Sequence, residues 1–231
     1  MNGYFITFEG SEGCGKTTQI EALAKALEAQ GKTVLITREP GGTLIGEKIR
    51  NLLQDPSHKN DISDMTELLL FSASRAELIT SRIQPALSRG EIVICDRFYD
   101  STFVYQGLGR AIDMNIVEQL NQITVGTLKP DLTILLDLDA KIGIERAKSR
   151  QSGELDRIEN ESLAFFEAVR NGYLELAKKE LALSGYDAST APVIELTALT
   201  CCATHQKMAY VTQTSLEAIG INTKIVDTEW V

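Results

Sequence analysis

Three groups of residues in this sequence have types and spacings suited to chemistry on a phosphorylated ligand. The first is the run Gly10, Ser11, Glu12, Gly13, Cys14, Gly15, Lys16, Thr17, Thr18, where Gly10, four spacers, Gly15, Lys16 and Thr17 satisfy the phosphate-binding loop pattern. In such a loop successive backbone N–H groups curl around the phosphates of a nucleotide, and glycine is needed where the backbone touches the ligand. Lys16 would reach the outer phosphates, the Thr17 hydroxyl would ligate Mg2+, and the N-terminus of the following helix would add positive potential. The second group closes the apolar run Glu91 to Arg97. There Asp96 would hold Mg2+ directly or through water, and Arg97 would clamp a phosphate with its planar fork of donors. Tyr99, Ser101, Thr102, Tyr105, Gln106 and Arg110 follow, a density of hydrogen-bonding groups that a plain connection does not need. The third group is basic: Arg146, Lys148 and Arg150, then Arg157 beyond a break at Gln151, Ser152 and Gly153. Arg146 and Arg150 share a helix face at four-residue spacing, and the adjacent glycine suits a mobile lid over about 146–157. A solvated basic helix end, favoured by the dipole, is the alternative.

Two further pairs are weaker. Phe71 and Arg75 are four apart on a helical pattern, so a ring could lie on a nucleobase while the guanidinium meets its polar edge. From spacing alone a core phenylalanine with a surface arginine is the favoured reading. Arg38 and Glu39, before Pro40, Gly41 and Gly42, stand either in a shaped ligand loop or in a connecting turn with two solvated charges. Cys201, Cys202 and His205 form one tight cluster with no distant second pair, a weak zinc pattern.

The elements that must carry these groups alternate strand and helix. Tyr4 to Phe8, Thr33 to Thr37, Glu91 to Arg97 and Leu132 to Leu138 read as buried parallel strands. Ile20, Leu23, Ala24 and Leu27 recur at helical spacing after the loop. Further helices are expected from Ile45 to Leu53, from Met65 to about Leu87 with a kink at Pro85, from Met114 to Val125, from about Ala140, and from Ser162 to Leu183. The candidate residues then gather at the C-terminal ends of the strands, where open α/β sheets collect ligands. Beyond Ala188 the reading thins to a short helix, Ser215 to Ile219, and an added strand, Thr223 to Asp227.

The 231 residues suit one α/β domain spanning 1–231 with a full core. A net charge of −9 argues against general affinity for nucleic acid or anionic membrane, so the positive charge needed by an anionic ligand must be concentrated locally. No apolar run approaches membrane-spanning length, and no cationic leader with an apolar stretch opens the sequence, which predicts a cytoplasmic protein.

Taken together, EGSEGCGKT, TREPGGT, FSASRAE, CDRFYDSTFVYQGLGR and RAKSRQSGELDRIE resemble, in order and spacing, the thymidylate kinase family in its bacterial form, over residues 1 to about 187. The resemblance implies the P-loop nucleoside monophosphate kinase fold, a five-stranded parallel sheet surrounded by helices, usually as a homodimer. It implies transfer of the γ-phosphate of MgATP to dTMP. In the bacterial branch the lid supplies the catalytic arginine, which matches Glu12 and Gly13 in this loop and Arg146, Arg150 and Arg157 in the lid. Carried over by motif position, Gly13, Gly15, Lys16, Thr17 and Thr18 serve the ATP phosphates and Mg2+, with Glu12 facing the acceptor or the ion. Arg97 clamps the dTMP phosphate with Arg38 beside it and Asp96 near the metal. Phe71 stacks on thymine, Arg75 meets its O4 edge, and Thr102 meets its N3 side. Tyr105 and Gln106 close around the sugar, and the tyrosine crowds the 2′ carbon against a ribose hydroxyl. Cys14 departs from the family's frequent alanine and puts a thiol in the loop. A sister kinase for another monophosphate would differ in groups such as Phe71 and Arg75. A nucleotide-dependent switch or ATPase would leave Arg97 and the lid arginines unexplained.

Overall fold

The computed structural model describes residues 3–59, 61–150, 155–185, 189, 193–199, 203–218 and 220–228. The chain divides into two compact units, Met1–Tyr173 and Leu174–Val231.

The first unit opens with β1 (Tyr4–Glu9), α1 (Lys16–Ala29), β2 (Val34–Arg38) and α2 (Leu44–Gln54). It continues through α3 (Asp64–Leu78), α4 (Gln84–Ser88), β3 (Ile92–Asp96), α5 (Tyr99–Thr102), α6 (Met114–Val125), β4 (Leu132–Leu135) and α7 (Ala140–Arg150). Helix α8 (Leu163–Leu183) crosses the boundary between the units. The strands form one four-stranded sheet in the order β2-β3-β1-β4, with every pairing parallel. Apolar β-branched runs allow this, because a parallel sheet is covered on both faces. The pleat divides them: Phe5, Val93 and Cys95 pack with Leu78, Ile83, Ala86 and Phe98, while Ile6, Phe8 and Ile94 pack with Ile20 and Ala24. Phe5 meets the Phe98 ring edge-on at 5.0 Å.

Register fixes the site. Phe8 and Arg38 both pair with Asp96, so β1, β2 and β3 end together and bring Glu9, Arg38 and Asp96 to one edge. The connection from β1 runs to β2 on one side and that from β3 runs to β4 on the other, so the direction reverses between the adjacent strands β1 and β3, which opens a crevice at that edge.

Four expectations are corrected. The sheet holds four strands among the described residues, not five, because β5 (Ile194–Leu199) pairs in parallel with β6 (Thr223–Thr228) in a separate two-stranded sheet. These two strands flank α9 (Ala203–Ala218), which is longer than the short helix expected there. Strand β4 stops at Leu135, not Leu138, because its ladder partner β1 ends at Glu9. The long helix expected to Leu87 is interrupted by a π-helical turn, Ile79–Ile83, before α4. Pro85 supplies no N–H to the preceding turn, and a loosened hydrogen-bond register is one way a helix accommodates that. Cys201 and Cys202 lie outside the described residues.

Candidate functional site

One cavity of about 300 Å³ opens at the C-terminal edge of the sheet. It is lined by residues from each of the sequence-predicted groups except the basic helix end. Lys16, Arg38, Arg50, Arg75 and Arg97 all face it, the local concentration of positive charge that a chain of net charge −9 requires.

At one end stands the phosphate loop. Gly15 takes the left-handed conformation at φ 95° and caps α1 without a side-chain hydrogen bond, leaving the first-turn N–H donors of a 14-residue helix for a ligand. Gly13 is needed for a second reason: a Cβ there would collide with the Gly143 carbonyl of α7, and one at Gly143 would collide with the Glu12 carbonyl. Loop and α7 therefore touch backbone to backbone. Lys16 is buried and donates to the carbonyls of Gly10 and Ser11, each at 2.9 Å. Burial, then the charge of Arg97, pulls its ammonium below the usual lysine range. Its Nζ is also 3.5 Å from the Cys14 sulfur, and Thr17 reaches the cavity while Thr18 does not line it.

Arg97 and Glu12 join the loop to the second group. Arg97 sits at φ 70°, donates to Glu12 at 2.8 Å and to Ser101 at 3.3 Å, and lies 4.8 Å above the Tyr105 ring. Desolvation opposes its charge, yet the neighbouring Tyr105 and Glu12 hold its pKa well above the ordinary value. Tyr105 also donates to Glu12 at 2.8 Å. Glu9, buried at the end of β1, accepts from the Phe98 N–H, Ser101 and Tyr173 at 2.7, 2.7 and 2.9 Å.

Asp96 lines the cavity, and its Oδ1 is buried without a hydrogen-bond partner among the described residues. A lone hard oxygen in the cavity that Thr17 also lines fits Mg2+, which is held through few protein oxygens and substrate phosphates. Among the described residues no group of three or more His, Cys, Asp or Glu side chains forms a larger metal site.

At the other end, Phe71 and Arg75 line the cavity together. Arg75 is no surface arginine: it is 1% exposed. It donates to Glu39 at 2.8 Å, to Asn121 at 2.8 Å, to Thr102 at 2.7 Å and to the Phe98 carbonyl at 3.3 Å. Glu39 is likewise buried rather than solvated, and burial pushes its carboxyl up to about 7 against the pull of Arg75. Arg38 is half-exposed and pairs with Glu47 at 2.9 Å. Ser101, Thr102, Tyr105 and Gln106 complete this end.

The basic group does not gather here as a unit. Arg146 lies on the exposed side of α7 outside the cavity lining, and the Arg150 side chain is outside the described residues. Arg157 is buried, donating to the Leu53 carbonyl at 2.7 Å and to Glu67 at 2.6 Å. It is an anchor, not a free lid side chain.

Sequence reasoning missed Arg50, Gln54, Ile158 and Glu159 as cavity residues and gave Asp156 no role, while Glu39 lines the cavity as the ligand-loop reading had it. For Arg50 a signal existed: it follows Glu47 by one helical turn, and it now donates to the Pro40 carbonyl at 3.0 Å. Asp156 carried none, since only the folded path of 155–161 brings it to the cavity.

Comparison with known proteins agrees over most of the chain. A thymidylate kinase family model matches residues 8–195. The thymidylate kinases of Pseudomonas syringae pv. tomato and Geobacter sulfurreducens are 52% and 50% identical to it, covering 79% and 77% of this chain and 85% of each relative. The crystal structure of thymidylate kinase from Ehrlichia chaffeensis aligns with a TM-score of 0.63 at 39% identity, over 78% of this chain and 89% of that one.

Proposed function

The chain belongs to the thymidylate kinase family and transfers a phosphoryl group from ATP to dTMP, giving dTDP, and we propose that it does so by in-line transfer within the single cavity just described. The observation that carries this mechanism is that the phosphate loop and the pair Phe71 and Arg75 line one and the same cavity, with Arg97 also on its wall. A nucleotide switch needs only the loop. An acceptor site sharing the loop's cavity is what a kinase needs.

The acceptor is a phosphate monoester with a second pKa of about 6, so at neutral pH it is mostly dianionic and already nucleophilic. No general base is required. The task is to hold two repelling anions in line and to neutralise charge on the transferred group. The loop N–H groups and Lys16 take the ATP phosphates, and those phosphates restore the proton affinity that burial removes from Lys16. Arg97, kept cationic by its neighbours, takes the acceptor phosphate, with Arg50 and Arg38 on the same wall. Glu12 holds Arg97 and Tyr105 in place between the two phosphates. Phe71 stacks on thymine and Arg75 donates to its carbonyl edge, while Thr102, Ser101, Tyr105 and Gln106 surround the nucleoside. Thr17 and Asp96 are the residues that would hold Mg2+, and the bound ion supplies charge neutralisation on the phosphoryl oxygens. A lid arginine, Arg146 or Arg150, would complete the transition-state charge. Such arginines are worth on the order of 10^3 to 10^5 in rate. If Arg146→Ala and Arg150→Ala both turn over like wild type, the lid assignment fails.

The reading carries a homodimer and a cytoplasmic location. Met65 and Leu69 on α3, and Ile116 and Ile123 on α6, are exposed apolar pairs at helical spacing on two helices that pack together, a face suited to a second copy of the chain. Light scattering should give twice the chain mass, reduced to one by Leu69→Glu with Ile123→Glu. No described helix is long and apolar enough to cross a membrane.

The test of function is ADP release from MgATP with dTMP, dUMP, UMP, dCMP, dGMP or AMP, and with no acceptor. Release that depends strongly on dTMP, with UMP nearly inert, is the expected result. Preference for another monophosphate removes Phe71, Arg75 and Tyr105 as thymidylate readers. Equal release without acceptor overturns the kinase reading.

A further inference from the structure

We propose that Glu67, which does not itself line the cavity, is the positioning residue for nucleoside recognition: one buried carboxylate that fixes both the Gln106 amide and, through Arg157, the Asp156 to Glu159 wall. The inference rests on the dTMP kinase reading above.

Glu67 lies in the first turn of α3 and is 1% exposed. Its Oε1 accepts from Gln106 Nε2 at 2.8 Å and Arg110 Nε at 3.2 Å. Its Oε2 accepts from Arg157 at 2.6 Å and Arg110 at 3.2 Å. That fills about four acceptor positions, the capacity of an ionised carboxylate. Burial pushes its carboxyl up, but the donors, Arg110 foremost, outweigh this and hold it below its ordinary value. Arg110 is itself held by Glu161 at 2.6 Å, with Asp64 at 3.7 Å, and lies over the Phe165 ring. The charges in this cluster are therefore paired, and each partner has little freedom.

The consequences reach the cavity by two routes. A carboxylate only accepts, so Gln106 must turn its N–H groups toward Glu67, and this decides which end of the amide is left for the ligand. The second route runs through Arg157. Its guanidinium is held by Glu67 and the Leu53 carbonyl, and its backbone N–H donates to the Gln54 carbonyl at 2.9 Å, so the segment is pinned to the end of α2. On either side of it Asp156, Ile158 and Glu159 line the cavity, with Asp156 accepting the N–H groups of Ile158 and Glu159 at 2.8 Å. Lys16, Asp96 and Arg97 make none of these contacts. Glu67 therefore acts on how the nucleoside is held, with no hydrogen bond of its own to Lys16, Asp96 or Arg97.

Steady-state kinetics of Glu67→Gln on the full chain, below its melting transition, tests this. A glutamine both donates and accepts, so it keeps the volume and releases the fixed orientation of Gln106. The expected result is a KM for dTMP raised about tenfold, with kcat and the KM for ATP within about twofold of wild type, the signature of lost uniform binding. Glu67→Asp, which keeps the charge and shortens the reach, should fall between the two. If Glu67→Gln does not fold, Arg157→Lys carries the same expectation, because a lysine cannot reproduce both guanidinium bonds at once. A lowered melting temperature with the KM for dTMP unchanged overturns the proposal, as does an equal loss in kcat and both KM values. Absence of dTMP-dependent ADP release from the wild-type chain would instead remove the kinase reading beneath it.

Discussion

The two ends of the cavity are built on opposite principles. At the phosphoryl end, Lys16 bonds mainly to backbone carbonyls, and the Asp96 Oδ1 and Ser11 Oγ atoms are buried without partners among the described residues. At the nucleoside end, Arg75 is held by Glu39, Asn121, Thr102 and the Phe98 carbonyl, and Glu67 has its acceptor positions filled. Asn121 Nδ2 is an exception there, buried without a hydrogen-bond partner among the described residues, as is Thr37 Oγ1 on β2. In the proposed reading, an end that meets phosphates and an ion leaves polar capacity open for them, at a cost in folding stability. An end that reads one unchanging shape satisfies its groups internally and gains rigidity.

The sharpest way to break this contrast is to compare deletions at the two ends. Lys16→Met should lower kcat on the order of 10^3-fold, the scale of losing a charge donor to the transition state, while leaving the melting temperature level or higher. Its burial already disfavours the ammonium, so the methionine removes a penalty. Arg75→Ala should do the reverse. Removing one partner of a buried ion pair costs about 3–5 kcal/mol, so thermal or denaturant unfolding should show a large loss, with a raised KM for dTMP and an unchanged KM for ATP. A smaller effect comes from Glu39. Because burial lifts its carboxyl from 4.5 to about 7, the folded chain keeps a proton that the unfolded chain has lost. That contribution to stability therefore falls as pH rises from 4.5 to about 7 and levels off above. The melting temperature of wild type minus that of Glu39→Gln should shrink over this range, and a constant difference would contradict the assignment. The smallest effect is at the rim. Arg38 and Glu47 are 51% and 39% exposed, so Glu47→Ala should change stability by no more than about 1 kcal/mol.

The phosphoryl end was the more legible in sequence, and for a physical reason. A loop that shapes backbone around phosphate needs glycines at fixed spacing, and Gly10, Gly15, Lys16 and Thr17 announce it within one segment. Strands β1, β2 and β3 were equally plain, since parallel strands covered on both faces are continuous apolar runs. The nucleoside end depends on contacts between distant segments: Arg75 to Glu39, and Glu67 to Arg157, partners 36 and 90 positions apart. Spacing along one helix could not tell whether Arg75 was buried, nor that Arg157 anchors the segment beyond the lid. Strand β5 was missed for a similar reason, because its pairing with β6 spans the whole of α9.

The most direct test of the account is a crystal structure of the chain with dTMP bound. The thymine ring should lie against Phe71 with its carbonyl edge on Arg75, and the phosphate should reach Arg97 on the side facing Lys16. A base seated at the phosphate loop, or a phosphate turned away from Arg97, would contradict the division of the cavity on which the mechanism stands.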